Sequence, residues 1–261
     1  RHKSTIPVIA KIEKWEALQD LDKIITSFDA VMVARGDLGV ETPPEQVPLA
    51  QKKIIQNANK LGKPVIIATQ MLESMVKDPV PTRAEVSDIA NAIFDGADAL
   101  MVTGETAIGD HPVEVIKVLK KVVLETEKTI DFDTVRQPIG HETTADAISH
   151  ATCQVAQDLS ADCIVTMTHS GSTALLISRY RPNGKVVALT PVSRTCRMLS
   201  MVWGISPFRI GEYKTTDNIP PIVENALISK NIIRSGKKYI ITGGVPVGVS
   251  GTTNYLSIQT A

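Results

Sequence analysis

The chain has 261 residues, enough to bury a sizeable core and to form two domains or one large one. Its 28 Lys and Arg balance its 28 Asp and Glu, so charge gives no argument for nucleic acid or a membrane surface as partner. No apolar run reaches the roughly 18 residues of a membrane span, and the apolar stretch in RHKSTIPVIAKIEK is too short for a secretory leader; a cytoplasmic protein is expected. Cys153, Cys163 and Cys196 are odd in number and unpatterned. They read as core cysteines of a reducing compartment rather than as metal or redox groups.

In chain order, a strand is expected at 6–12 with a helix at 15–27, and a strand at 30–35 with a helix at 47–61. A strand at 64–69 with a helix at 83–94, and a strand at 99–103 with a helix at 111–130, follow. The runs are continuous in Val, Ile, Met and Ala rather than alternating, the pattern of parallel strands covered on both faces. Gly62-Lys63-Pro64 ends one helix, and Pro112 suits the first turn of another. Four consecutive βα units result. At 132–142, Pro, Gly and charge interrupt the apolar periodicity, as in a linker between domains. Helices are then expected at 144–159, 173–180, 194–201 and 219–230, with strands at 163–167, 185–189, 205–209 and 239–242. The last run, 254–258, follows a turn too short for a helical crossover, so it is expected antiparallel at the sheet edge. The expected division is therefore 1–131, a linker at 132–142, and a second α/β domain at 143–261 with a mostly parallel five-stranded sheet.

Three strand ends turn from apolar to polar: AKIEK at 10–14, VARGDLG at 33–39 and IATQML at 67–72. The carboxyl ends of parallel strands are where such folds place their sites. Lys11 and Glu13, two apart on a strand, point to one side. Asp37 stands at the same level in the next unit, and Thr69 adds a hydroxyl in the third. Two converging carboxylates suit a hard cation such as Mg²⁺ with retained waters, and Gly36 lets backbone approach a ligand. Each residue has a plainer reading. Lys11 reads equally as a surface lysine, Glu13 as an acid favoured near a helix start, Asp37 as a turn residue and Thr69 as a satisfied core hydroxyl. The residues alone leave both readings open.

AKIEK, VMVARGDLGVE, GKPVIIATQMLESM, PTRAEVSDIANAIFDGADALMVTGETAIGDHP and MTHSGSTA, in this order, resemble pyruvate kinase along essentially the whole chain. The resemblance implies that the first four βα units are the last four of a TIM-type (β/α)8 barrel, followed by the family's regulatory α/β domain. It implies phosphoryl transfer from phosphoenolpyruvate to ADP, giving pyruvate and ATP. By the same resemblance, Lys11 stabilises the phosphoryl group in flight, and Glu13 and Asp37 ligate Mg²⁺ or Mn²⁺. Ala34, Arg35, Gly36 and Asp37 line the substrate carboxylate, and Thr69 lies where the enolate is protonated. Arg83, in PTRAE, falls at a subunit contact of a homotetramer, and Glu105 supports the site from behind. K⁺ is implied, with its ligands outside this chain.

Thr168, His169, Ser170, Gly171, Ser172 and Thr173 join a strand to a helix, and small hydroxyl-bearing residues there suit an anion. A second such loop is 248–253. Both also read as plain turn chemistry. In the family the corresponding loops bind a phosphorylated activator. His169 and Ser172 replace basic residues of fructose-1,6-bisphosphate-regulated relatives, and GVPVGVSG lacks the Trp-Arg pair some carry. A sugar monophosphate, AMP or no effector therefore fits as well as a bisphosphate. The family's barrel needs four further strands before Arg1, so a fragment with half an active site and no activity alone is expected. The alternative is a non-catalytic module that senses a phosphorylated metabolite.

Overall fold

Four short apolar runs form one parallel sheet in the order β1-β2-β3-β4: β1 Ile9–Ile12, β2 Ala30–Ala34, β3 Val65–Ala68 and β4 Ala99–Met101. The computed structural model describes residues 6–130, 143–249 and 251–261. The chain divides into two compact units, Arg1–Asp131 and Phe132–Ala261; the expected linker at 132–142 lies outside the described residues.

In the first unit, β2 and β3 are buried almost throughout, which explains their continuous apolar runs. Register is pinned by two aspartates that precede strands. Asp29 accepts from Val8 N–H at 2.8 Å, and Asp98 accepts from Val65 N–H at 2.9 Å. Helices α1 Leu21–Ser27, α3 Val47–Lys60, α4 Arg83–Asp95 and α6 Pro112–Glu127 accompany the strands. In α3, Ile54 and Ile55 are fully buried, each contributing about 1.5–3 kcal/mol.

Two short helices were not anticipated: α2 Arg35–Glu41 and α5 Gly104–Ala107. Each starts close behind a strand end, and Arg35, expected as the last residue of its strand, instead opens α2. The expected helix at 15–27 is instead a 3-10 turn at Trp15–Leu18 followed by α1. Asp20 occupies the break in a non-helical conformation, as residues with short polar side chains do at helix starts.

The second unit has a five-stranded sheet ordered β7-β6-β5-β8-β9. Its strands are β5 Cys163–Met167, β6 Lys185–Thr190, β7 Ile205–Arg209, β8 Lys238–Gly244 and β9 Thr253–Thr260. Only β9 runs antiparallel, at the edge, as expected. Ile164, Val186, Ala188 and Ile240 face one core, and Cys163, Val165, Val187, Leu189, Tyr239 and Ile241 face the other. This period of two puts apolar side chains on both faces. Helices α7 Thr144–Asp158, α8 Ser172–Arg179 and α9 Ser193–Leu199 line the first core, and α10 Ile219–Ser229 the second. Cys153 and Cys163 are buried, and Cys196 is half-buried. No helix among the described residues is long and apolar enough to cross a membrane.

Candidate functional site

Strand pairing sets Ile12 beside Val33, Ala34 beside Ala68, and Ala68 beside Met101, so the carboxyl ends of the four strands lie level. Lys11 extends from the exposed face of β1 between two carboxylates. Its Nζ is 2.6 Å from Asp37 Oδ2 and 2.8 Å from Glu13 Oε2. Asp37 is available because β2 passes into α2 without a loop, which places it in the helix's first turn. All three side chains are about half exposed. The hydrogen bonds from Lys11 to Asp37 and then to Glu13 raise its pKa above the usual lysine value, so it stays a cation across the physiological range. Glu13 and Asp37 thus already share one cation. No group of three or more His, Cys, Asp or Glu fit for a metal occurs among the described residues. The pair fits an ion such as Mg²⁺, which takes one or two carboxylates and fills its other positions with water and substrate oxygens.

Thr69 follows β3 with φ +68°, and Gln70 has φ +56°. Two successive non-glycine residues in the left-handed region are strained, on the order of 1–3 kcal/mol each, and a β-branched residue there is unusual. Thr69 Oγ1 accepts from Gly36 N–H at 2.8 Å and donates to Ala68 O at 2.6 Å. A Cβ on Gly36 would meet Thr69 Oγ1 at 3.5 Å, an ordinary contact. The packing among the described residues therefore does not by itself demand glycine there. Ala34 is buried at the strand end.

Arg35 turns inward rather than toward the charged cluster. It is 8% exposed; Nη2 donates to Thr69 O at 2.7 Å and Gln70 O at 3.0 Å, and Nη1 pairs with Asp88. Glu105, also buried, accepts from Leu72 N–H at 3.2 Å and Thr103 N–H at 2.9 Å, tying the loop after β3 to the one after β4. A cavity of about 750 Å³ opens beyond Gly36, between α2, α3 and α4, lined by Arg35, Val47, Gln51, Asp88 and Asp95 among others. Its acids Asp88 and Asp95 are engaged by Arg35 and Lys52. Two carboxylates converging on one lysine at level strand ends mark the reactive candidate.

The PTRAE segment resolves into two roles. Thr82 and Glu85 form a capping box for α4, an arrangement carried by the local [ST]-x-x-E pattern. Glu85 also accepts from Ser74 N–H at 2.8 Å and Ser74 Oγ at 2.6 Å. Burial pushes its carboxyl up, and these bonds with those from Thr82 outweigh it, leaving the pKa lowered. Arg83, beside it, is exposed at the start of the helix.

In the second unit, the loop after β5 turns at Gly171, whose φ is +94°, and delivers Ser172 and Thr173 to the start of α8. Thr168 Oγ1 accepts from Gly171 N–H at 2.9 Å, and Ser170 Oγ lies 3.1 Å from Ser172 Oγ. His169 stacks on Tyr213, with ring centroids 5.2 Å apart, and its Nε2 is 3.7 Å from Glu212 Oε2. The C-terminal loop lies across the same pocket: Thr173 Oγ1 is 2.8 Å from Thr253 Oγ1, and Gly248, Gly251 and Thr252 also line it. Ser250 lies outside the described residues. The pocket is narrow, about 20 Å³.

Two family models match the chain: pyruvate kinase, barrel domain, over residues 1–116, and pyruvate kinase, alpha/beta domain, over residues 146–259. This chain belongs to the pyruvate kinase family. A pyruvate kinase of Clostridium acetobutylicum is 45% identical over 257 residues, covering 97% of this chain and 54% of that protein. One from Methylorubrum extorquens is 46% identical over 254 residues, covering 96% and 53%. The solved structure of a pyruvate kinase from Cryptosporidium parvum superposes with a TM-score of 0.89 at 36% identity, covering 98% of this chain and 52% of that one. The chain spans about half the length of the curated relatives it matches. The expected class, a pyruvate kinase barrel portion followed by an α/β domain with mostly parallel sheets, is therefore correct.

Proposed function

We propose that this chain contributes one half of a pyruvate kinase active site, serving phosphoryl transfer from phosphoenolpyruvate to ADP in the cytoplasm. The observation that carries the reading is Lys11 held between Asp37 and Glu13, with the Thr69 hydroxyl fastened to the same strand end. Glu13 and Asp37 would hold Mg²⁺ or Mn²⁺, which when bound supplies Lewis-acid polarisation of substrate oxygens. Lys11 offers a permanent positive charge to the phosphoryl oxygens, whose charge spreads in the transition state. The Gly36 backbone borders the substrate carboxylate. The Thr69 hydroxyl, or a water it orients, relays a proton to the enolate carbon. To do so it releases Ala68 O, the present acceptor of its proton.

The remaining functions go with the longer enzyme. K⁺ is held by residues outside this chain. Arg83 lies at a subunit contact of a homotetramer. The α/β domain at 143–261 is regulatory, with Thr168 through Thr173 and Gly248, Gly251, Thr252 and Thr253 around a phosphorylated effector. A non-catalytic sensing module gives no reason for a lysine and two carboxylates converging at strand ends.

The test is a chimera joining the N-terminal part of the Clostridium acetobutylicum relative to this chain. The expected result is pyruvate formation by the chimera and none by the 261-residue chain alone. A folded but inactive chimera would remove the assigned activity. Turnover by the chain alone would remove the half-site reading.

A further inference from the structure

We infer that Arg35 is a positioning residue for Thr69: its guanidinium, anchored on Asp88, holds the Thr69–Gln70 backbone in its left-handed form and so aims the Thr69 hydroxyl. The resemblance assigns Arg35 only as backbone beside the substrate, whereas its side chain points the other way. A β-branched threonine at φ +68° followed by a glutamine at φ +56° does not persist unless its surroundings hold it. Here both carbonyls, of Thr69 and of Gln70, converge on one Nη2. The fork geometry of guanidinium serves two acceptors on one side and a carboxylate on the other, which an ammonium cannot do at once. Asp88 comes from α4, so the clamp spans α2, the β3 end and α4. Without it, the dipeptide relaxes toward negative φ, the Thr69 Cβ swings, and the bond from Gly36 N–H to Thr69 Oγ1 is lost.

The kinetic arm of the test, pyruvate hydrogen exchange included, rests on the pyruvate kinase reading; the amide-exchange arm does not. In the chimera, exchange of pyruvate methyl hydrogens with solvent deuterium reports the reverse of enolate protonation. Arg35→Met and Thr69→Ala each slow it by about 10²-fold, while KM for phosphoenolpyruvate moves by less than about threefold. The double variant is no slower than Thr69→Ala, because Arg35 acts through Thr69, and Arg35→Lys recovers part of the rate. Additive losses, or a raised KM with unchanged kcat, overturn the inference.

The second arm uses amide hydrogen exchange in the purified chain. The Gly36 amide exchanges at least about tenfold faster in Arg35→Met, in Thr69→Ala and in the gentler Asp88→Asn, with the α3 amide of Ile54 unchanged as reference. Unchanged Gly36 exchange overturns the clamp even if the chimera is active. An unsubstituted chimera that neither transfers phosphoryl nor exchanges pyruvate hydrogens sinks the functional reading, and the Gly36 amide still decides the clamp.

Discussion

Both units present polar loops at the carboxyl ends of parallel strands, but they place different chemistry there. The first concentrates charge, with Glu13 and Asp37 each within hydrogen-bond reach of Lys11 and all three half exposed. The second offers neutral donors: the hydroxyls of Thr168, Ser170, Ser172, Thr173 and Thr253, with His169 already facing Glu212. The same topology thus serves two ends. Opposed charges can respond to charge moving in a reaction, whereas neutral hydroxyls around a narrow pocket offer hydrogen bonds without net charge.

The contrast yields graded expectations. Lys11→Met, which strips the first site of its only cation in the cluster, should lower chimera turnover by 10³-fold or so and leave the urea midpoint nearly unchanged, since the pair is exposed. Glu13→Gln or Asp37→Asn should weaken Mn²⁺ binding by roughly 10–100-fold in a titration of the chimera. If either binds Mn²⁺ normally, the carboxylates belong to Lys11 alone. Glu105→Ala leaves the buried Leu72 amide and the Thr103 amide without their acceptor, and urea unfolding should show a loss of about 1–3 kcal/mol.

Glu85→Gln probes a carboxylate used for architecture. Its folded pKa is lowered from 4.5, so its contribution is present above that value and disappears as pH falls through the folded pKa. The variant should lose about 1 kcal/mol at pH 7, and the gap to the parent chain should close on acidification below pH 4.5. Thr173→Val, removing one hydroxyl of the Thr173–Thr253 pair, should have the smallest effect: a loss of about 1 kcal/mol in stability and a few-fold weaker hold on inorganic phosphate. A larger effect there than at Lys11 would invert the contrast between the two units.

The strands were legible because burial on both faces leaves uninterrupted Val and Ile, and the β9 reversal was legible because eight residues between β8 and β9 leave no room for a helix. The cluster of Lys11, Glu13 and Asp37 was legible as polar punctuation at strand ends. Arg35 was not. A lone arginine after an apolar run carries no mark of which way it turns, and its partners lie 34 and 53 positions away in Thr69 and Asp88. Nor did the sequence disclose that Thr69 has positive φ, since threonine is among the residues least expected there. The capping box at Thr82 and Glu85 is written in the local pattern, since a threonine followed three positions on by glutamate marks a helix start.

The loop-free joint between β2 and α2 has a consequence for how this lineage can vary in length. One residue inserted between Ala34 and Asp37 would rotate the aspartate by about 100° around the helix axis and carry its carboxylate away from Lys11. One residue deleted would do the same in the other sense. Homologues that keep the reaction should therefore show no insertions or deletions at this joint and collect them where connections are long, as between β3 and α4.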